Sequence, residues 1–113
     1  MGTRATILIK QGDSKVRLYH HYDGYPEGIG TDMKNFLEHI PFWHLESLAN
    51  RFLKGSVVSK YSGKPDNGYE YTTCQHGDEE YAYLIDCDKR ELKCYKLGWD
   101  EFDWKEEKVV EIP

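Results

Sequence analysis

Residues 5–22 read ATILIKQGDSKVRLYHHY, and the way they alternate decides the fold. Ala5, Ile7 and Ile9 alternate with Thr6, Leu8 and Lys10. After Gly12-Asp13, Val16, Leu18, His20 and Tyr22 alternate with Arg17, Tyr19 and His21. A period of two is the mark of half-buried strands. Gly12-Asp13 suits a two-residue II′ turn, whose first central residue takes a positive φ. Closing the hairpin there sets Ile9 against Val16, Ile7 against Leu18 and Ala5 against His20. The two apolar faces then coincide, and a one-residue slip would turn one of them to water.

Downstream, residues 23–30 (DGYPEGIG) form a loop that delivers the chain to a helix. Thr31 is the expected N-cap, with Asp32 near the positive end of the helix dipole. Met33, Phe36, Leu37 and Ile40 make a core-facing stripe, and Pro41 stops it. Leu45, Leu48, Ala49, Phe52 and Leu53 mark a second helix, with Gly55 as its C′ residue. Residues 62–68 (SGKPDNG) are turn chemistry. Strands are expected over Tyr69–Cys74, Glu80–Asp86 and Glu91–Leu97, reversing at Gly77 and around Lys89-Arg90. The end of the chain reads as a last edge strand or as a short helix followed by one. Short reversals favour antiparallel pairing. The expected fold is therefore α+β in two layers, one domain over residues 1–113. An antiparallel sheet of about five strands (ββ-αα-βββ, with room for one more) carries both helices on one face.

Composition narrows the function. The chain has 113 residues, 13.3 kDa and a net charge of −5. A pI near 5.5 argues against non-specific nucleic-acid binding, which requires neutralising phosphates. No 18-residue apolar run exists, so no membrane association by a spanning helix is expected. The first residues lack a signal peptide's apolar stretch, and three cysteines are too few and too odd in number for a disulfide framework. Both features point to a cytoplasmic setting. Met1–Thr6 matches the loose myristoylation pattern, but nothing else in the chain supports lipidation.

The densest cluster of reactive residues follows the hairpin. His21-Tyr22-Asp23-Gly24-Tyr25-Pro26-Glu27-Gly28, set between a short hairpin and a helix, resembles a signature of small bacterial and phage proteins to which no activity is attached. The resemblance covers about the first forty residues and implies a bacterial or mobile-element origin. Physically, His20 shares a face with Val16 and Leu18 and reads as a hydrogen-bonded core residue. His21 and Asp23 share the other face, where the carboxylate would orient the imidazole as in a general-base dyad. Surface pairing at a strand end explains the same residues more simply. The loop's glycines raise the question of phosphate binding, but it fits no phosphate-binding fingerprint, and Asp23, Glu27 and Asp32 would repel an anion.

Cys74, His76, Cys87 and Cys94 have the right chemistry for zinc and the wrong spacing. Leu92 is expected opposite Cys87, leaving Cys87 and Cys94 as diagonal, buried free thiols. No metal or cofactor is expected. His39, His44 and His76 read as solvated, and no nucleophile elbow is present.

Charge is uneven. Residues 1–60 hold eight Lys+Arg and six Asp+Glu, while residues 61–113 hold seven and fourteen. In the tail, Trp99, Phe102 and Trp104 interleave with Asp100, Glu101 and Asp103, a pattern suited to a basic partner. The expectation is a small acidic binding module for a protein partner, with a homodimer permitted. The rival is an enzyme or nucleotide-binding protein built on His21, Tyr22, Asp23, Tyr25 and Glu27.

Overall fold

The computed structural model describes residues 2–97 and 104–113. Strands β1 (Ala5–Gln11) and β2 (Ser14–His20) form the hairpin in the expected register, with Ile7 opposite Leu18 and Ile9 opposite Val16. Gly12 supplies the positive φ of +57° that the turn needs. Helices α1 (Thr31–Glu38) and α2 (Leu45–Leu53) follow. Then come β3 (Tyr69–Thr72), β4 (Tyr81–Asp86), β5 (Glu91–Lys96), a 3-10 turn at Glu106–Lys108 and β6 (Val109–Val110). Among the described residues of the tail, a tight turn is thus followed by an edge strand.

The six strands lie in the order β3-β2-β1-β4-β5-β6 and the sheet is mixed, not wholly antiparallel. β4 pairs in parallel with β1, Ile7 beside Tyr83 and Ile9 beside Ile85. The Gly77 segment was expected to reverse the chain between neighbouring strands. Instead Thr73–Glu80 carries it past β2 and β1, a displacement of roughly 14 Å at the usual strand spacing. It runs along the face away from the helices. There His76 stacks on Tyr19 at 3.9 Å, Asp78 accepts the Tyr19 hydroxyl at 2.8 Å, and Arg4 pairs with Asp78 at 3.3 Å. Buried Glu79 gathers the amides of His76 and Gly77, which fixes the bend.

Ile7, Ile9, Leu18, Met33, Leu37, Leu48, Phe52 and Ile85 form the main core between sheet and helices. Each such side chain contributes roughly 1.5–3 kcal/mol on burial. Of the second-helix stripe, Leu53 is the exception at 40% exposed. α2 ends as the sequence implies, with Gly55 at φ +80°, its amide bonded to Phe52 and that of Ser56 to Arg51. The start of α1 differs from expectation. Over Pro26–Gly30 the chain already turns, with a kink at the non-helical Gly28, and Thr31 donates its hydroxyl to the Pro26 carbonyl at 3.1 Å instead of capping. Proline's preset φ starts the winding five residues earlier.

The β4–β5 register places Leu92 opposite Ile85 and Cys94 opposite Tyr83. Leu92 therefore does not face Cys87, because four residues separate the pair Asp86–Glu91. Cys87 and Cys94 remain buried and free, and Cys74 is exposed. A smaller cluster of Ala82, Tyr95 and Leu97, with Leu84 and Trp104 against it, covers the second face of β4 and β5.

Ile7→Asp buries a charge with no partner in the central strand and should abolish the cooperative urea transition. Val109→Asp, on the exposed edge, should cost under about 1 kcal/mol in the same measurement.

Candidate functional site

The loop after β2 meets the segment between α2 and β3 at one end of the sheet. His20 links the two. It is fully buried; its Nε2 lies 2.9 and 3.0 Å from the two oxygens of buried Asp66, and its Nδ1 meets the carbonyl of Tyr22. Both partners are acceptors, so a ring that donates from both nitrogens satisfies both. Asp66 also accepts from the Gly68 amide at 2.8 Å and the Tyr22 hydroxyl at 3.1 Å. Burial pushes its carboxyl up, but the donors from His20, Gly68 and Tyr22 outweigh that and leave it below its ordinary value. Burial and then the Asp66 charge raise the Tyr22 phenol. Tyr69 is buried beside them and its hydroxyl meets no partner among the described residues. Burial, then the charges of Asp66 and Asp32, push that phenol far up.

Asp32 stands in the first turn of α1 as expected, but it is buried and accepts the Lys60 amide at 3.1 Å. It therefore also ties down the second loop. Burial raises its carboxyl, and that one amide does not reverse the shift.

Above this base sits the displayed loop. Asp23 adopts a left-handed φ of +52°, a conformation that few non-glycine residues take. Its carbonyl accepts the Ile29 amide at 2.9 Å, the Gly24 amide bonds Thr3 at 2.8 Å, and the buried Tyr83 hydroxyl donates to Gly24 at 2.6 Å. Gly28 passes so close that a Cβ there would lie 2.3 Å from the Asp23 carbonyl oxygen. The Tyr25 hydroxyl donates to the Asp23 carboxylate at 3.3 Å, and that of Tyr61 donates to the Glu27 carbonyl at 3.4 Å. A hydrogen bond with Tyr61, then burial and the Asp23 charge, raises the Tyr25 phenol to about 12. Tyr61 is 59% exposed, with the Lys60 ammonium 5.2 Å from its ring centre.

The structure thus brings together Tyr22, Asp23, Tyr25 and Glu27, and adds Tyr61, Asp66 and Tyr69 from the distant segment. It does not form the His21–Asp23 dyad. His21 is exposed and pairs with Glu70 at 2.8 Å. Tyr19 faces Glu70 across β2 and β3, so His21, two residues on, is its diagonal neighbour. In the tail, Trp99, Asp100, Glu101, Phe102 and Asp103 lie outside the described residues. Trp104 is half-buried on the second sheet face, 5.6 Å from Tyr95 and 5.8 Å from the Arg17 guanidinium, and donates to Gln75 at 3.1 Å. Among the described residues no group of three or more His, Cys, Asp or Glu could hold a metal ion. No helix among them is long and apolar enough to cross a membrane. No family model, curated protein or solved structure matches the chain.

Gly28→Ala should cost more than about 2 kcal/mol in urea unfolding, since backbone must move to admit the Cβ. Gly12→Ala, with open space around it, should cost about 1 kcal/mol from its positive φ alone. Asp66→Asn should cost about 3 kcal/mol at pH 7, because it breaks a buried pair. A carboxyl held below its unfolded value stabilises the fold above that value. The difference between wild type and Asp66→Asn should therefore shrink as pH falls below 3.8.

Proposed function

We propose that the protein is a small, non-catalytic binding module whose partner is a protein with a basic surface. The recognition patch is formed by Tyr22, Asp23, Tyr25, Glu27 and Tyr61. The observation that carries this reading is the hydrogen bonding that holds the displayed loop from several sides. A left-handed Asp23, held by Ile29 and Tyr25, and the next residue Gly24, held by Thr3 and Tyr83, set the positions of the loop's tyrosines and carboxylates. Tyrosine supplies contact area at low entropic cost, and the acids steer a cationic partner toward it. The Lys60 ammonium above Tyr61 supports a patch that accepts cations. The full engagement of His20 and the pairing of His21 with Glu70 weigh against base catalysis at this loop.

The acids of residues 100–103 add charge of the same sign and belong to the same proposal. So do a cytoplasmic setting and the bacterial or phage origin implied by residues 21–28.

An array of Lys- and Arg-rich nonapeptides, read by surface plasmon resonance, tests the reading. Wild type should bind a subset with affinity that falls as salt rises. Glu27→Lys should slow association several-fold and flatten the salt dependence, while Tyr61→Ala should speed dissociation about tenfold. Both positions are exposed, so the variants should melt like wild type. Failure of wild type to bind any basic peptide, or unchanged kinetics in both variants, would remove the reading.

A further inference from the structure

The helical layer is too narrow for the sheet beneath it. A helix about 10 Å across covers about two strands spaced about 4.8 Å apart, so six strands call for a third helix. α2 packs over β1, β2 and β3, while α1 and the connection after it stand over β5 and β6 without filling the space between them. A cleft of about 570 Å³ lies there, within the range of about 300–1,000 Å³ typical of small-molecule sites. Leu37, Trp43, Leu92, Cys94, Val110 and Ile112 line it, with Leu37 and Cys94 buried at its base and the other four half-buried around them.

One wall of the cleft is fastened to a turn of the sheet. Arg90 takes a left-handed φ of +55°, and its guanidinium donates to the carbonyls of Pro41 at 2.7 Å and Ile40 at 3.3 Å. It also lies 5.1 Å from the centre of the Trp43 ring. The connection between the helices is thereby fastened to the β4–β5 turn, with Trp43 in the wall of the cleft. The charges around the cleft cancel. Lys34 and Arg90 are balanced by Glu38 and Glu111, while Lys93 is taken by Glu106 at 3.2 Å. An ion of either sign would meet as much repulsion as attraction over an apolar floor that cannot solvate it. Burial raises the Cys94 thiol to about 12, so the floor offers no thiolate.

We propose that this cleft binds a small uncharged apolar molecule.

The test is an NMR titration of the full chain with 1-naphthol, 1-naphthoate and 1-naphthylmethylammonium, three probes of one shape and different charge. Saturable shifts are expected at the methyl groups of Leu37, Leu92, Val110 and Ile112 and at the Trp43 indole, with 1-naphthol at least tenfold tighter than either ion. Ile112→Trp, which fills the cleft from its half-buried edge, should weaken 1-naphthol at least tenfold. Val110→Phe serves the same purpose should Ile112→Trp fail to fold. Leu84→Trp, on the opposite sheet face, should leave binding unchanged. Four results would each overturn the proposal. These are no saturable shift with 1-naphthol, an ion binding as tightly, affinity indifferent to the filling variant, and the same signals moving with protein concentration alone. The last would mean that a second copy covers this face.

Discussion

Strand β1 is hydrogen-bonded along both edges, antiparallel to β2 and parallel to β4, and the other elements are arranged around that constraint. A tight turn cannot join parallel neighbours. Between β2 and β4 the chain therefore builds both helices, a long loop and the edge strand β3 before it returns to β1. Parallel pairing also sets the two hairpins side by side with their turns at one end of the sheet. The Gly12 amide of the first turn consequently donates to the Asp88 carboxylate of the second at 2.7 Å. The opposite end receives the loop after β2 and the segment before β3. The tyrosine and acid patch thus lies at one end, and Arg90 braces the cleft from the turn at the other.

The sequence was legible where the determining contacts are local. Two-residue turn chemistry and a period of two give the β1–β2 register directly, and the spacing of Met33, Leu37, Leu48 and Phe52 gives the buried helix faces. A period of two tells which face a strand buries, but not which strand lies beside it. The parallel partnership of Ile7 with Tyr83 joins residues far apart in the chain, and no local signal announces it. Centring the reversal on Lys89-Arg90, one residue beyond its actual centre at Asp88-Lys89, gave Cys87 the wrong expected partner. In the site, Asp23 and Tyr25 stood out because they sit in a dense run beside the hairpin. Asp66 did not, since Asp-Asn-Gly reads as ordinary turn chemistry and His20 lies 46 residues away.

Two carboxylates are buried at this end of the molecule and their pKa values move in opposite directions. Desolvation pushes both up. Asp32 receives one amide and stays raised, whereas Asp66 receives an imidazole, an amide and a phenol and falls below its ordinary value. The number of donors decides the sign. A buried carboxylate–imidazole pair is weak evidence of net stability, because desolvation offsets most of the attraction. Its larger effect is on geometry, since every group in it has a required direction. That specificity fits a loop whose backbone is strained at Asp23 and must be held from several sides.

The glycines of the displayed loop illustrate how little local composition says about what a loop offers. A glycine-rich entry to a helix can cradle phosphate when its amides are free and point outward. Here the amides are spent inside the fold, Gly24 on Thr3, Gly28 on Tyr25 and Ile29 on Asp23. The close approaches serve packing as well. Gly28 presses on the Asp23 carbonyl, and a Cβ on Gly68 would lie 2.8 Å from His20 Nε2 and from the Tyr22 ring. With the donors turned inward, what remains on the surface is carboxylate, carbonyl oxygen and tyrosine. A surface of that kind repels anions and leaves cations, or neutral groups that stack and donate, as its natural partners.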